Sequence, residues 1–552
     1  MSLPSKPAAG PIAKPDAALP VNSATTDAHP VKRRRLLAFQ GDHSTASTPW
    51  QLAQDTLTKL LITAACVLSA WHLGAFLVIV RGRLFYPYAL EWMEGGMLEH
   101  VARIMEGKPL YLAPSIEFTP FIYTPLYYWV SAAVAHFLGV QLASLRLVSC
   151  LASASIFVLL FSIIYSRTRN LIAGFIAAGL YASCFDVCAG WFDLARVDSL
   201  SLCFLLLATW LVVRSDRRDA WAGLFLALAF LAKQSGVIVA VPLIAARIIT
   251  QSGWRRVHAA LTFSIVVLTS TILQDHFSHG YYHYYVFDLP SQHAWIAAMR
   301  REFWRSDMFA NVPFACAAAL CALTISLGWR NQVLLWAAAI GYCAVGWISR
   351  MHVGGASNVL MPTMAFLAWA TAETLHRLSQ LSVGDLAPVA PATLWARSLR
   401  YSSSLFGLAL CVAQLSWLVY RPGAHIPSAK NRKGGDALIA YLRTLPGPIL
   451  SPLDPLLPRL IGQTGSAHEQ ALTDISLGIE SKKTAAVTRS IHEVIARRRY
   501  AVVVGGWQTA ELSTANYVPA PLTQVPSSWT LEGAPFRTSE IWLRNAPDAT
   551  KH

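Results

Sequence analysis

The sequence predicts an all-α polytopic membrane bundle of about eleven transmembrane helices, with a small extracytoplasmic α/β domain at its C-terminus. Three observations lead there. The 552 residues are 54% hydrophobic and only 14% charged, with mean hydropathy +0.42, too apolar for an ordinary soluble globular chain. The Lys and Arg residues come in short clusters between apolar segments, as membrane topology requires. Beyond about Arg421 the long apolar segments stop and turn residues recur.

Residues 1–50 are rich in Pro, Ala, Ser and Thr without apolar periodicity, and read as a disordered cytoplasmic tail. The basic run Lys32 to Arg35 precedes an apolar segment at 57–80, long enough to span and too far from the N-terminus for a cleavable signal. It reads as a signal anchor with its N-terminus inside. The next decision concerns 120–139. If that stretch crosses the membrane, the basic loops at 166–170, 214–219 and 253–258 all face outward; if it does not, all three face the cytoplasm. Charge therefore predicts a helix lying in the outer interface, with Pro120 and Pro125 near its start, and a single extracytoplasmic loop over 81–143.

Further spans are expected near 144–165, 171–189, 199–213, 220–235, 237–250, 259–274, 308–328, 332–349, 357–376 and 402–420, completing a transmembrane domain over 51–420. In 421–552, DALIAYLRTLP and TRSIHEVIARRRY have helical periodicity, while PILS and YAVVVGG read as buried strands. His468 and Glu469, side by side in a polar stretch, read as surface residues.

Composition also excludes. The formal charge of +15 is distributed as topology requires, so no nucleic-acid partner is expected. The nine cysteines all lie in or beside apolar segments and imply no disulfide framework; Cys184 and Cys188 read as small core residues.

The candidate chemistry lies in the loops assigned to the outer face. In the first, Glu91 and Glu94 are three apart, which on a helix places both on one stripe with Leu98, Val101 and Met105 at a partly buried edge. Burial raises a carboxyl pKa and suits a base; acids favoured in a helix's first turn are the structural alternative. Glu99 and Arg103 read as a solvated pair worth roughly a few tenths of a kcal/mol. A second loop carries Asp193, Arg196 and Asp198, more charge than a helix cap at Asp198 and Ser199 needs. Lys233 stands between two apolar segments with no local acid, either snorkelling or binding an anion. Arg350 and His352, followed by Gly354 and Gly355, form another cation set. Carboxylates for proton transfer and cations for a phosphate at one membrane surface suit group transfer from a lipid-phosphate donor.

The order of an acid-bearing first loop, a Pro-Leu-Tyr-Tyr-Trp helix (Pro125 to Trp129), Arg146 to Ser149, Ala195-Arg196-x-Asp198, and a Leu-Ala-Phe-Leu-x-Lys segment ending at Lys233 resembles the GT-C glycosyltransferases. The likeness is to bacterial relatives of protein mannosyltransferases and of lipid A aminoarabinose transferases, and covers roughly 57–375. It implies a glycosyltransferase in a bacterial inner membrane, with its active site and C-terminal domain on the periplasmic side. The sugar would pass from a polyprenyl-phosphate carrier to a lipid, glycan or protein acceptor. The family's first-loop motif is usually Asp-Glu; Met93-Glu94 stands there here. The resemblance implies Glu94 as catalytic base with Glu91 as substitute, and Asp198 as second catalytic acid. Lys233, Arg196, Arg350 and His352 are expected to bind the donor phosphate, and Asp193, Tyr123, Tyr127 and Tyr128 to line the substrate. No cofactor or dedicated metal cage is expected, with divalent-metal use left open by the family. A multi-span transporter and a non-catalytic scaffold are the alternatives.

Overall fold

The computed structural model describes residues 49–214, 217–325, 328–380, 394–478, 482–505, 509–521 and 541–545. The N-terminal tail up to residue 48 lies outside them. Ser47–His552 form one compact unit.

A helix stands at each of the eleven positions where a span is expected: α1 (Pro49–Arg83), α4 (Leu142–Thr168), α5 (Leu171–Ser183), α6 (Asp198–Arg214), α7 (Asp219–Ala232), α8 (Val237–Thr250), α9 (Arg255–Phe277), α10 (Pro313–Thr324), α11 (Trp329–Met351), α12 (Met361–Gln380) and α13 (Leu394–Trp417). Among the described residues four of these, α1, α4, α9 and α11, are long and apolar enough to cross a bilayer alone, or six if each of two bent helix pairs is one span. The shortest, α10 at 12 residues, rises only about 18 Å against a hydrocarbon core of about 30 Å. On α9, Leu261, Ile265, Leu268 and Ile272 are exposed, the apolar surface expected against lipid rather than water.

The first loop contributes α2 (Glu94–Met105) and α3 (Leu126–Leu138). Helix α3 has 13 residues, about 20 Å, and packs on α2 and α4. The stretch after α5 is no surface loop: Phe192 stacks on Tyr181 at 4.6 Å, and Phe185, Leu194, Ala195 and Val197 are fully buried. Aromatic packing pulls this connection into the bundle, and Arg196 comes with it.

In the C-terminal segment, α14 (Ala429–Thr444) starts at a capping box between Ser428 and Asn431. Strands β1 (Ile449–Leu450), β2 (Val502–Val504), β3 (Tyr517–Pro519) and β4 (Ile541–Arg544) form a sheet ordered β1-β2-β4-β3. Its β1 and β2 are parallel, with Ile449 opposite Val502, and the other pairs antiparallel. Leu450, Leu456, Ala471 and Ile475 of this segment share one apolar core with Met97, Leu98, Phe121 and Tyr127 of the first loop.

Gly95 and Gly96 make that approach feasible. A side chain at Gly95 would run into the Asp454 carboxylate, and one at Gly96 into the Phe121 ring. Arg459 completes the join with a bidentate pair to Glu99 at 2.7 and 2.9 Å. This corrects the expected Glu99–Arg103 pair: Arg103 instead donates to the Pro109 carbonyl and lies over the Phe118 ring.

Candidate active site

Glu91 and Glu94 do not share a helical face. Helix α2 begins at Glu94, and Glu91 sits in the turn before it, whose carbonyl accepts from the Glu94 amide at 3.1 Å. Both are buried, with 1% and 0% exposure, rather than at a partly buried edge. The one-turn offset sends their carboxylates to different partners.

Glu94 is the centre of a closed clamp. Arg146 on α4 grips both its oxygens, Nε to Oε1 at 2.9 Å and Nη2 to Oε2 at 2.5 Å. The amides of Ala195 and Leu90 donate to the same two oxygens at 2.9 and 2.7 Å. Burial alone would raise this carboxyl, but the Arg146 charge and the four hydrogen bonds hold it below the usual glutamate range. Arg146 spends its remaining donors on the carbonyls of Arg83, Tyr86 and Tyr88. This arrangement fixes the first loop to the bundle. Behind it a second buried pair, Arg83 with Asp193 at 3.1 Å, holds the α5–α6 connection.

Glu91 faces a different set. Its Oε2 accepts from the Met93 amide at 3.1 Å and lies 3.3 Å from Nη1 of Arg196. Arg196 donates through Nη2 to the Tyr123 hydroxyl at 3.0 Å and lies over the Trp191 ring at 4.6 Å. Two residues on, Asp198 pairs with Lys233 at 2.6 Å and accepts from the Asn358 amide at 3.0 Å. Lys233 therefore does have a local acid, contrary to expectation, because α6 and α7 pack side by side and bring their site-facing ends together. Beside this pair Ser235, Ser349 and Asn358 line a cavity of about 20 Å³, room for about one water and not for a sugar.

The C-terminal segment closes over the same place. His468, expected at the surface, is 2% exposed; its Nε2 donates to the carbonyl of Trp92 at 2.8 Å, one residue past Glu91. The short helix Glu469–Ser476 that follows carries Asp474, a buried carboxyl hydrogen-bonded to Gln470 at 2.6 Å. Burial pushes it up to about 7, against the opposing pull of the Gln470 bond and the nearby Arg196 charge.

The remaining expected residues are placed elsewhere. Tyr127 donates to the Leu145 carbonyl and Tyr128 stacks on His100 at 4.6 Å, both fully buried in the first-loop core. Arg350 is engaged by Asp307 at 2.8 Å and the Gly355 carbonyl at 2.7 Å. The ring nitrogens of His352 lie 2.7 and 2.9 Å from the carbonyls of Val353 and Pro290. Glu91, Arg196, Tyr123, Asp198 and Lys233 thus form one linked group, whereas Glu94 and Asp193 belong to the clamps that position it.

The family model for dolichyl-phosphate-mannose-protein mannosyltransferases matches residues 122–274. The structure is similar to ArnT from Cupriavidus metallidurans bound to undecaprenyl phosphate, with a TM-score of 0.51 at 13% identity over 92% of this chain and 100% of that one. Apo ArnT from the same organism gives 0.53 at 12% identity over 87% and 97%. Residues 122–274 are thus similar to that mannosyltransferase family, and the fold resembles that of the ArnT structures. No curated protein matches this chain in sequence. The family match spans Tyr123, Arg196, Asp198 and Lys233 but stops short of the first-loop acids.

Sequence reasoning missed several residues of this site. Asn358, Trp191 and Asp474 come from segments distant in the chain, and no local pattern ties them to Asp198 or Arg196. Arg146 was legible only as part of a motif, although a lone arginine inside an apolar segment already signals a buried partner. The Glu94-Gly95-Gly96 run was a signal of a second kind: paired glycines in a helix mark a close approach.

Proposed function

We propose that this chain transfers a sugar from a polyprenyl-phosphate carrier to an acceptor hydroxyl, with Glu91 as the general base. One observation carries the reading: Glu91 is the first-loop carboxylate that faces the Arg196, Tyr123, Asp198 and Lys233 group, whereas all four acceptor positions of Glu94 are filled by Arg146 and two backbone amides. A base must give up its existing partner to take a proton, and the arginine on Glu91 is the more distant one, Arg196 at 3.3 Å against Arg146 at 2.5 and 2.9 Å on Glu94. In the transfer, Glu91 removes the acceptor proton as the acceptor oxygen bonds to the anomeric carbon. The bond from that carbon to the phosphate oxygen breaks, and its electron pair leaves with the carrier phosphate. Arg196 and Lys233 are the cations placed to stabilise that charge, with Asp198 and Asn358 orienting Lys233 and Tyr123 orienting Arg196. Arg350 and His352 are not required for this role.

The donor is a lipid-linked sugar that reaches the site from the bilayer. The acceptor, a lipid, glycan or protein, is admitted when the segment around His468 moves off Trp92. Basic loops 166–170, 214–219 and 253–258 support placing the opposite face in the cytoplasm of a bacterial cell and the site on the periplasmic side of the inner membrane. The test is sugar release from polyprenyl-phosphate-linked donors in proteoliposomes, with Glu91→Gln and Glu94→Gln compared per mole of folded protein. Undiminished transfer by Glu91→Gln would sink the assignment.

A further inference from the structure

The segment Met299–Ala310 meets Pro313–Thr324 at 97°. Since α10 runs with the bundle, packed on α12 and α13, the preceding segment lies across it, in the plane of the membrane surface. It is held there from below. Phe303 is fully buried, Asp307 pairs with Arg350, and Trp347 on α11 donates its indole N–H to the Arg300 carbonyl at 3.2 Å. It lies on the face that carries the candidate active site, because the strand-like contact between Trp295 and His352 ties the chain leading into it to the end of α11, which supplies Ser349, and to the connection into α12, which supplies Asn358.

Its upper side presents Arg300, Arg301 and Arg305, all exposed, around Trp304, Phe309 and Trp347, in an open cleft of about 590 Å³. Among the described residues none of the three arginines makes an ion pair. Within the segment Asp307 is paired with Arg350, and Glu302, which accepts from the Ser306 hydroxyl, keeps its charge. Three guanidinium groups against that one carboxylate leave the cleft net positive and favour an anion between them. The exposed Trp304 and Phe309 add an apolar component that a free anion in water does not use. Rings at this depth sit among acyl chains and glycerol backbones.

We infer that this cleft binds the phosphate headgroup of an anionic phospholipid of the surrounding leaflet, at a site separate from the Arg196 and Lys233 group proposed for the donor. The arginines take the phosphate oxygens, with Trp304, Phe309 and Trp347 against the start of the acyl chains.

Binding is measured by native mass spectrometry of the full-length protein titrated with phosphatidylglycerol or phosphatidylcholine. The wild type is expected to hold phosphatidylglycerol on the order of a hundred-fold more tightly. Each Arg→Gln substitution should weaken that lipid roughly five-fold, and the triple variant on the order of a hundred-fold, to the level of phosphatidylcholine. The single variants keep the test intact should the triple one fail to fold. Equal affinity for the two lipids in the wild type, or an undiminished preference in every variant, overturns the inference. So does displacement of phosphatidylglycerol by equimolar inorganic phosphate, which would make the cleft a free-anion site. Displacement by equimolar polyprenyl phosphate would assign it to the donor and overturn it equally.

Discussion

Two glutamates three positions apart are separated in role by the donors that reach them. Arg146 fills the capacity of Glu94 from α4, so Glu94→Gln or Arg146→Gln leaves an uncompensated buried charge, and destabilisation of about 3–5 kcal/mol is expected in thermal or denaturant unfolding. Glu91→Gln should behave otherwise. Transfer is expected to fall by about 10²- to 10⁴-fold, the usual contribution of a general base, while the unfolding midpoint moves little. The crossed pattern, a stable but inactive Glu94→Gln beside an active Glu91→Gln, would reverse the assignment. Met93 at the place where the family has an aspartate costs this chain nothing under that reading, since the proton acceptor sits two residues earlier.

Between elements, the decisive contact is the C-terminal segment on α2. A methyl at Gly95 meets Asp454, so Gly95→Ala is expected to loosen this docking and make 454–476 sensitive to proteolysis while the helical bundle stays folded. Protection equal to the wild type's would show that the junction accommodates the methyl. Asp454 also makes the docking depend on pH. Burial pushes its carboxyl from 3.8 up to about 7, so between those values the folded state holds a proton that the unfolded state has lost. Its contribution to stability is therefore greatest near pH 4, declines as pH rises to about 7, and is flat above. At about 1.4 kcal/mol per pH unit, the full difference is on the order of 4 kcal/mol. His100 and His468, lowered by burial to about 3 and about 4, act in the opposite sense: stability is lost as pH falls below 6.5 because the unfolded histidines take up protons first. The Asp454 effect is isolated by comparing wild type with Asp454→Asn. Hydrogen exchange of Leu456–Leu460 should show the wild type losing protection relative to the variant between pH 5 and pH 7, and a constant difference would remove Asp454 as the cause.

At the scale of the whole molecule, membrane topology is the first thing to test. On the proposed topology, in which α3 lies along the outer surface, a cysteine at the exposed position of Gln141 should react with an impermeant reagent added outside cells; reaction only from the cytoplasmic side would invert every loop assignment. The residues legible beforehand were those whose signal is local. Apolar length marked the helices, charge clusters marked the loops, and the helical periodicity of DALIAYLRTLP and the short apolar run of YAVVVGG marked α14 and β2, because a membrane span, a basic loop and a short buried strand each satisfy their physical constraint within a few turns of chain. The same local reading brought Glu91, Arg196, Asp198 and Lys233 to one face. What tertiary structure alone decided was which charge meets which. Arg146 could choose Glu94, and Glu99 could choose Arg459, only after α4 and the C-terminal segment had packed against the first loop. An ion pair in a buried site is set by desolvation and distance in three dimensions, and neither is written in the spacing of residues along the chain.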